Sequence, residues 1–310
     1  MRERVKLACV SVDLDEIPNY HAIHGLPGGA AVDTLVYDLA LPRLLDMAAS
    51  GGFPLTLFAV GSDLSRQSAA SGLARAARLG HEIANHSLDH RYDLTRLPRA
   101  EIERQISAGA SAILAATGVS PEGFRAPGYT ITGEVFSVLA DMGIAYDSSV
   151  FPCPSYYAAK TMAIAYIAAR GRRSHSVVDD PRVLTAPVRP YRVGVPYFRR
   201  GSGILELPIQ VTRGLRLPFI GTTITLAGPD RARWLARMCK GEPLVNLELH
   251  GIDLLSRLDG LDALSAHQLD VRVPLQRKLD SLDAVFTTLK DAGYTFTTMA
   301  EAARAFEAGY

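Results

Sequence analysis

Short apolar runs alternate with longer segments of helical period along most of the chain. Val5 to Val12 (VKLACVSV) and Leu55 to Val60 (LTLFAV) are compact runs rich in apolar residues, as expected of strands covered on both faces. Between them, residues 33–50 read as a helix that turns Leu39, Leu44, Leu45 and Met47 to a core, with Pro42 in its first turn or at a bend. The alternation continues with a helix over 63–79, a short strand over 81–85, and a helix over 99–116 in which Ile102, Ile106 and Ile113 share a face. GFRAPGY follows at 123–129, then a helix starting at Thr132 or Gly133, then a strand that ends at Asp147.

Residues 151–201 are the least regular stretch, with aromatic, arginine and proline residues interleaved; they read as an insertion that contacts substrate at the mouth of a barrel. Regular signals resume with GILELPIQV, a helix over 231–240, the strand LVNLELH ending at His250, a helix over 279–291, the strand GYTFTTM and a short terminal helix. This order predicts one α/β domain over 1–310 built on a closed or nearly closed parallel sheet, a distorted (β/α)7 or (β/α)8 barrel, with functional residues at the strand C-terminal ends. A dinucleotide-binding fold is disfavoured. Its early glycine-rich turn is missing, and GLPGGA at 25–30 does not open a helix directly after the first strand.

Composition narrows the function classes. Lysine plus arginine number 33 against 32 acidic residues, so there is no global field to attract nucleic acid. The arginine-rich AARGRRSHS at 168–176 lacks an accompanying basic stripe and reads as a solvated loop. Cys9, Cys153 and Cys239 are scattered and read as core thiols. The charged start and the absence of a long uncharged apolar run predict a cytoplasmic protein without a membrane span, with a peripheral encounter at the inner membrane face and homo-oligomer formation left open.

The chemistry concentrates at predicted strand ends. Asp13 and Asp15 are two apart, so in an extended chain they point to the same side, and two carboxylates so close call for a cation. His86 and His90 share a face if a helical turn begins at Ser87. With Asp15 they offer one oxygen and two imidazole nitrogens, a set that suits one divalent metal ion: zinc first, with cobalt, nickel, manganese or iron as alternatives. His21 and His24 stand near the first loop as second choices for substrate contact, and Glu16 reads as a solvated charge.

The ordered motifs SVDLD (11–15), HSLDH (86–90), RAPGY (125–129), YDSS (146–149) and LELH (247–250), with the ending LKDAGYTFTTMAE, resemble the polysaccharide deacetylase family, the NodB-homology or carbohydrate esterase family 4 group. The resemblance implies a NodB-like barrel and metal-dependent hydrolysis of an N-acyl group. It implies Asp15, His86 and His90 as metal ligands, Asp13 as base, Arg125 as its orienting partner, His250 as general acid, and Asp147 as the acid beside that histidine. Tyr129 and its neighbours would offer a backbone N–H to the oxyanion, and Phe151 or Val150 replaces the family's usual tryptophan, so Tyr129, His24 and Phe151 are candidate substrate contacts. The Asp-x-Asp form of the first motif resembles intracellular or membrane-associated amide hydrolases of the superfamily, including lipid-linked aminosugar deformylases and allantoinase-like members.

The expected activity is therefore removal of acetyl or formyl from an N-acyl aminosugar or lipid-linked carbohydrate. A cyclic amide or ureide hydrolase and a catalytically silent carbohydrate-binding barrel are the alternatives.

Overall fold

The computed structural model describes residues 6–26, 32–178 and 180–308. Most of GLPGGA, residues 27–30, lies outside them. Strand β1 (Leu7–Asp13) is buried along its whole length, which accounts for its apolar run up to the barrel end where Asp13 stands. After it come α1 (Ile17–His24), α2 (Leu41–Gly51), β2 (Thr56–Ala59), α3 (Gln67–Arg78), β3 (Glu82–Asn85), α4 (Arg99–Thr117), β4 (Gly123–Phe124), α5 (Gly133–Asp141) and β5 (Tyr146–Asp147). The second half adds α6 (Pro154–Ala169), β6 (Tyr191–Val193), β7 (Arg200–Glu206), α7 (Gly221–Ala227), α8 (Pro229–Met238), β8 (Leu244–His250), α9 (Asp262–Ser265), α10 (Leu275–Asp291), β9 (Thr295–Phe296) and α11 (Met299–Glu307).

The strands form one curled sheet in the order β6-β7-β5-β4-β3-β2-β1-β8, with β9 also paired to β1. All pairings are parallel except β6 with β7. The gap between β7 and β8 is bridged where the Gln210 N–H donates to the Asn246 carbonyl and where Ile220 pairs with Glu248. The α/β barrel expected from the strand–helix alternation is thus present, although β4, β5 and β9 are only two residues long. Helices cover the sheet with apolar stripes: Leu44 and Leu45, expected to face a core, pack with β1 and β2 beside Leu73 and Val285, and Ile102 and Ile106, expected to share a face, pack with Phe124 and Val135.

Several elements differ from their sequence expectation, each for a local reason. The helix expected over 33–50 opens with a π-helical turn at Val36–Ala40, and Pro42 falls in the first turn of α2, where its missing N–H costs nothing. The helix expected over 63–79 is broken at Arg66, whose backbone is extended (φ −84°, ψ 127°). Glu16 is implicated in both. Far from solvated, it is buried, accepting from the Val36 N–H at 3.0 Å and pairing with Arg66 at 2.7 Å. The 151–201 stretch is more regular than its composition suggests: it carries the 16-residue helix α6 and the edge strand β6.

The turn after β3 is clamped by α4. The Leu88 N–H donates to the Gln105 carbonyl at 2.9 Å, Asn85 Nδ2 donates to the Ile106 carbonyl at 2.8 Å, and Gly109 lies flush against the turn. A Cβ on Gly109 would sit 2.6 Å from Asn85 Oδ1 and 2.8 Å from the Ser87 carbonyl carbon. Gly109→Val should therefore destabilise the protein by about 1–3 kcal/mol, the usual range for overpacking. A denaturant melt is the check, and an unchanged midpoint would refute this close packing.

Candidate metal centre and proton-transfer site

The Asp15 carboxylate stands between two imidazoles, Oδ1 at 3.2 Å from His86 Nε2 and Oδ2 at 3.1 Å from His90 Nε2. Asp15 Oδ1 and both ring nitrogens are buried and have no hydrogen-bond partner. Buried polar atoms are normally satisfied, so three unsatisfied donor atoms converging on one point fit a cation. The tautomer agrees with this. His86 Nδ1 lies 2.7 Å from the Arg125 carbonyl, which can only accept, so Nδ1 carries the proton and Nε2 presents its lone pair.

The two histidines do not converge through a helical turn. Ser87 (φ 68°) and His90 (φ 48°) take left-handed backbone conformations, and Asn85 Oδ1 accepts from the Ser87 N–H at 3.0 Å. Such conformations are strained for residues with a side chain, and here α4 and Asn85 hold them in place. His90 also packs edge-on against Tyr92, with ring centroids 4.8 Å apart.

Asp13, at the end of β1, lies beside this group with Oδ2 3.7 Å from His86 Nε2. Its Oδ1 accepts from Arg125 Nη1 at 2.6 Å. Arg125 is fully buried; its other nitrogens donate to the Ser148 carbonyl, Ser11 Oγ and Ser148 Oγ, and its guanidinium lies 4.1 Å from the centre of the Phe58 ring.

On the opposite side, His250 ends β8 with Nε2 3.8 Å from Asp15 Oδ2 and 3.2 Å from the Tyr129 hydroxyl. Burial alone would lower its pKa, but the Glu248 carboxylate, aided by Asp15 and Asp13, outweighs burial and raises it well above the usual histidine range. Asp13, Glu248 and His250 also come close enough to surround an ion. In this second group Arg125 already takes up Asp13 Oδ1, and Glu248 Oε1 lies 3.0 Å from His250 Nδ1.

Two expectations need correction. The acid beside His250 is Glu248, with Oε1 3.0 Å from His250 Nδ1, and not Asp147. Asp147 accepts from the Ser149 N–H and hydroxyl and faces Glu206 across the β5–β7 pair. Burial and then the Asp147 charge push the Glu206 carboxyl well above its ordinary range. Glu248 was legible in principle: in LELH it lies two residues before His250, on the same face of a buried strand, where an acid is costly without a partner. The Tyr129 N–H is likewise unavailable to an oxyanion because it donates to the Ala126 carbonyl at 3.1 Å.

The three expected substrate contacts divide. Tyr129 and Phe151 meet edge to face with centroids 5.7 Å apart, and Tyr156 joins them, forming an aromatic wall beside His250. His24 is instead engaged by Gln268 at 3.1 Å and by the His267 ring. A cleft of about 790 Å³ opens beside His90, lined also by Tyr92, Asn19, Ile164, His175 and Val177 among others.

The chain is thus a curled parallel α/β barrel with an Asp-His-His cluster that could hold a metal ion at its strand C-terminal end. Residues 33–146 match the polysaccharide deacetylase family model, a segment that contains His86, His90 and Arg125. Over 105 residues the chain is 31% identical to a chitooligosaccharide deacetylase of Bradyrhizobium sp. (strain ANU 289), a match covering 34% of this chain and 47% of that protein; the chain thus matches about half the length of this curated relative. In fold it is similar to a Mycobacterium smegmatis protein described as a polysaccharide deacetylase (TM-score 0.56, 19% identity, 96% of this chain and 95% of that one). It is also similar to the Xyl-CE4 domain of a multidomain xylanase from the hindgut metagenome of Trinervitermes trinervoides (TM-score 0.51, 15% identity, 98% and 92% coverage). The chain therefore resembles polysaccharide deacetylases in sequence over the matched segment and in fold throughout, as its ordered motifs predicted.

If Asp15, His86 and His90 share an ion, Asp15→Ala and His90→Ala should each lower metal retention by at least about tenfold, the scale on which a ligand's own supporting contacts already act. His24→Ala should leave it unchanged. Elemental analysis after gel filtration distinguishes these outcomes, and stoichiometric metal in both ligand variants would refute the assignment.

Proposed function

We propose that the protein hydrolyses the amide of an N-acyl aminosugar, releasing a small acid such as acetate or formate, with one divalent ion held by Asp15, His86 and His90. The observation that carries this reading is the pair of separately oriented groups flanking the ligand cluster: buried Asp13 fixed by Arg125 on one side, part-buried His250 beside Glu248 on the other. The two imidazoles and one carboxylate suit zinc, and they also accept cobalt, nickel, manganese or iron. When bound, such an ion polarises an amide carbonyl and acidifies water.

The chain's own residues supply the rest. Arg125 occupies Asp13 Oδ1 and leaves Oδ2 turned toward the cluster, where it can take the proton of the attacking water. Glu248 stabilises the charged His250 ring, so that His250 Nε2 carries the proton a departing amine requires. The Tyr129 hydroxyl, 3.2 Å from that nitrogen, marks where the leaving group would stand, against the Tyr129–Phe151–Tyr156 wall. A carbohydrate substrate is supported by the match of residues 33–146 to the polysaccharide deacetylase family model.

The reading is tested by presenting N-acetyl, N-formyl and cyclic amide substrates and measuring released acid and amine, before and after chelation and metal restoration. Turnover of none of them by metal-replete protein would favour a silent binding barrel. Asp13→Asn should keep the metal yet lose about 100-fold or more in rate, the usual scale of general acid–base catalysis. Parallel loss of metal and rate would make Asp13 a ligand.

His250→Ala and Glu248→Gln should both lose far more kcat/KM on an amide than on an activated acyl ester, whose leaving group needs little protonation. Equal losses on the two substrates would reject the acid role.

A further inference from the structure

Helix α6 has its polarity reversed relative to an ordinary surface helix. Of its 16 residues only Ile167 is buried, yet the sequence PSYYAAKTMAIAYIAA is almost wholly apolar. Its one charged residue, Lys160, points inward and donates to the Gly128 carbonyl at 2.8 Å, and the Thr161 hydroxyl donates to the helix's own Tyr157 carbonyl. Outward stand Met162 and Tyr166, one helical turn apart and 66% and 56% exposed, with Ala158, Ala159, Ala163 and Ala165 also exposed around them. A helix apolar nearly all round belongs under a cover.

The charge nearby says what covers it. From Ser148 to Val178 there is no acidic residue, and α6 ends at Arg170, Arg172 and Arg173. None of these three has an acidic partner among the described residues, and the Arg170 guanidinium lies 4.9 Å from the centre of the exposed Tyr166 ring. The same end of the barrel carries a second apolar projection: Leu258 and Leu269, 87% and 57% exposed, lie on the segment that follows β8. The two projections are connected through α1. His175 donates its N–H to the Ala22 carbonyl, the Arg172 and Arg173 backbone and Cβ pack on Gly25, and His24 contacts Gln268. The cleft beside the candidate ligand His90 lies among these segments, with Ile164 of α6 on its wall.

We infer that α6 and the arginines at its C-terminal end dock this protein on an anionic lipid bilayer, with the cleft mouth turned toward the membrane surface. A bilayer interface satisfies both features at once: acyl chains take Met162 and Tyr166, and anionic headgroups take the arginines. A second copy of the chain would meet the apolar face but bring the same acid-free, cationic segment to it. Among the described residues no helix is long and apolar enough to cross a membrane, so the contact is peripheral. This docking goes beyond the proposed reaction and is measured without it.

The test is co-sedimentation of the full chain with vesicles of phosphatidylcholine alone or mixed with phosphatidylglycerol, alongside light scattering for oligomeric state. Binding should be at least about tenfold tighter to the anionic vesicles, and should fall by about tenfold or more both in Met162→Glu/Tyr166→Glu and in Arg170→Glu/Arg172→Glu. Circular dichroism and hydrolysis of a soluble substrate, or metal content if none is hydrolysed, should match wild type in both variants. Absence of vesicle binding, or binding unchanged by both pairs of substitutions, would overturn the inference. So would a solution dimer that does not bind vesicles and that Met162→Glu/Tyr166→Glu dissociates, since the occupant would then be a second copy.

Discussion

The buried Arg125 guanidinium is the interaction on which the candidate site depends. Removing such a cation from water costs ~several kcal/mol even after relaxation, and only a full set of partners offsets it. Arg125 has that set: Asp13 from β1, Ser11 from the same strand, Ser148 from the turn after β5, and the Phe58 ring beneath it. Its backbone carbonyl in turn accepts from His86 Nδ1. One residue therefore ties together the candidate base, a candidate ligand and two strand ends, and Ser11, Ser148 and Asn246 extend the same network across the barrel.

Around that hub the site separates two kinds of group by their state of satisfaction. Asp13 is a fully engaged carboxylate on one oxygen, with its second turned to the cluster; Asp15, His86 and His90 are buried with donor atoms that nothing in the chain satisfies. The contrast supports different proposed roles for Asp13 and Asp15, although both lie in one tripeptide. At His250, Glu248 Oε1 lies 3.0 Å from Nδ1 and the Tyr129 hydroxyl 3.2 Å from Nε2.

The strain needed to bring the two histidines together is held outside the site. Left-handed Ser87 and His90 persist because Asn85 at the end of β3, together with Gln105 and the bare backbone of Gly109 on α4, fixes the turn. Glu16 does comparable work next to Asp15: its ties to the Val36 N–H and Arg66 fasten the loop after β1 to two helix starts.

Much of this was legible without coordinates. Continuous apolar runs marked β1, β2 and β8, helical periodicity marked α4, and charged residues or histidines at strand ends marked Asp13, Asp15, His86, Arg125 and His250, because a buried strand tolerates such residues only where it opens on a site. What sequence did not fix was every feature that depends on which strand lies next to which. Asp147 and Glu248 both end or line buried strands as acids, and only the sheet order, with β8 against β1 and β5 against β7, puts Glu248 beside His250 and Asp147 beside Glu206. The break at Arg66 and the outward apolar face of α6 were hidden for the same reason. Local propensity records what a segment prefers alone, whereas its final conformation and exposed face are set by partners that are distant in sequence, Glu16 for the one and Gly128 for the other.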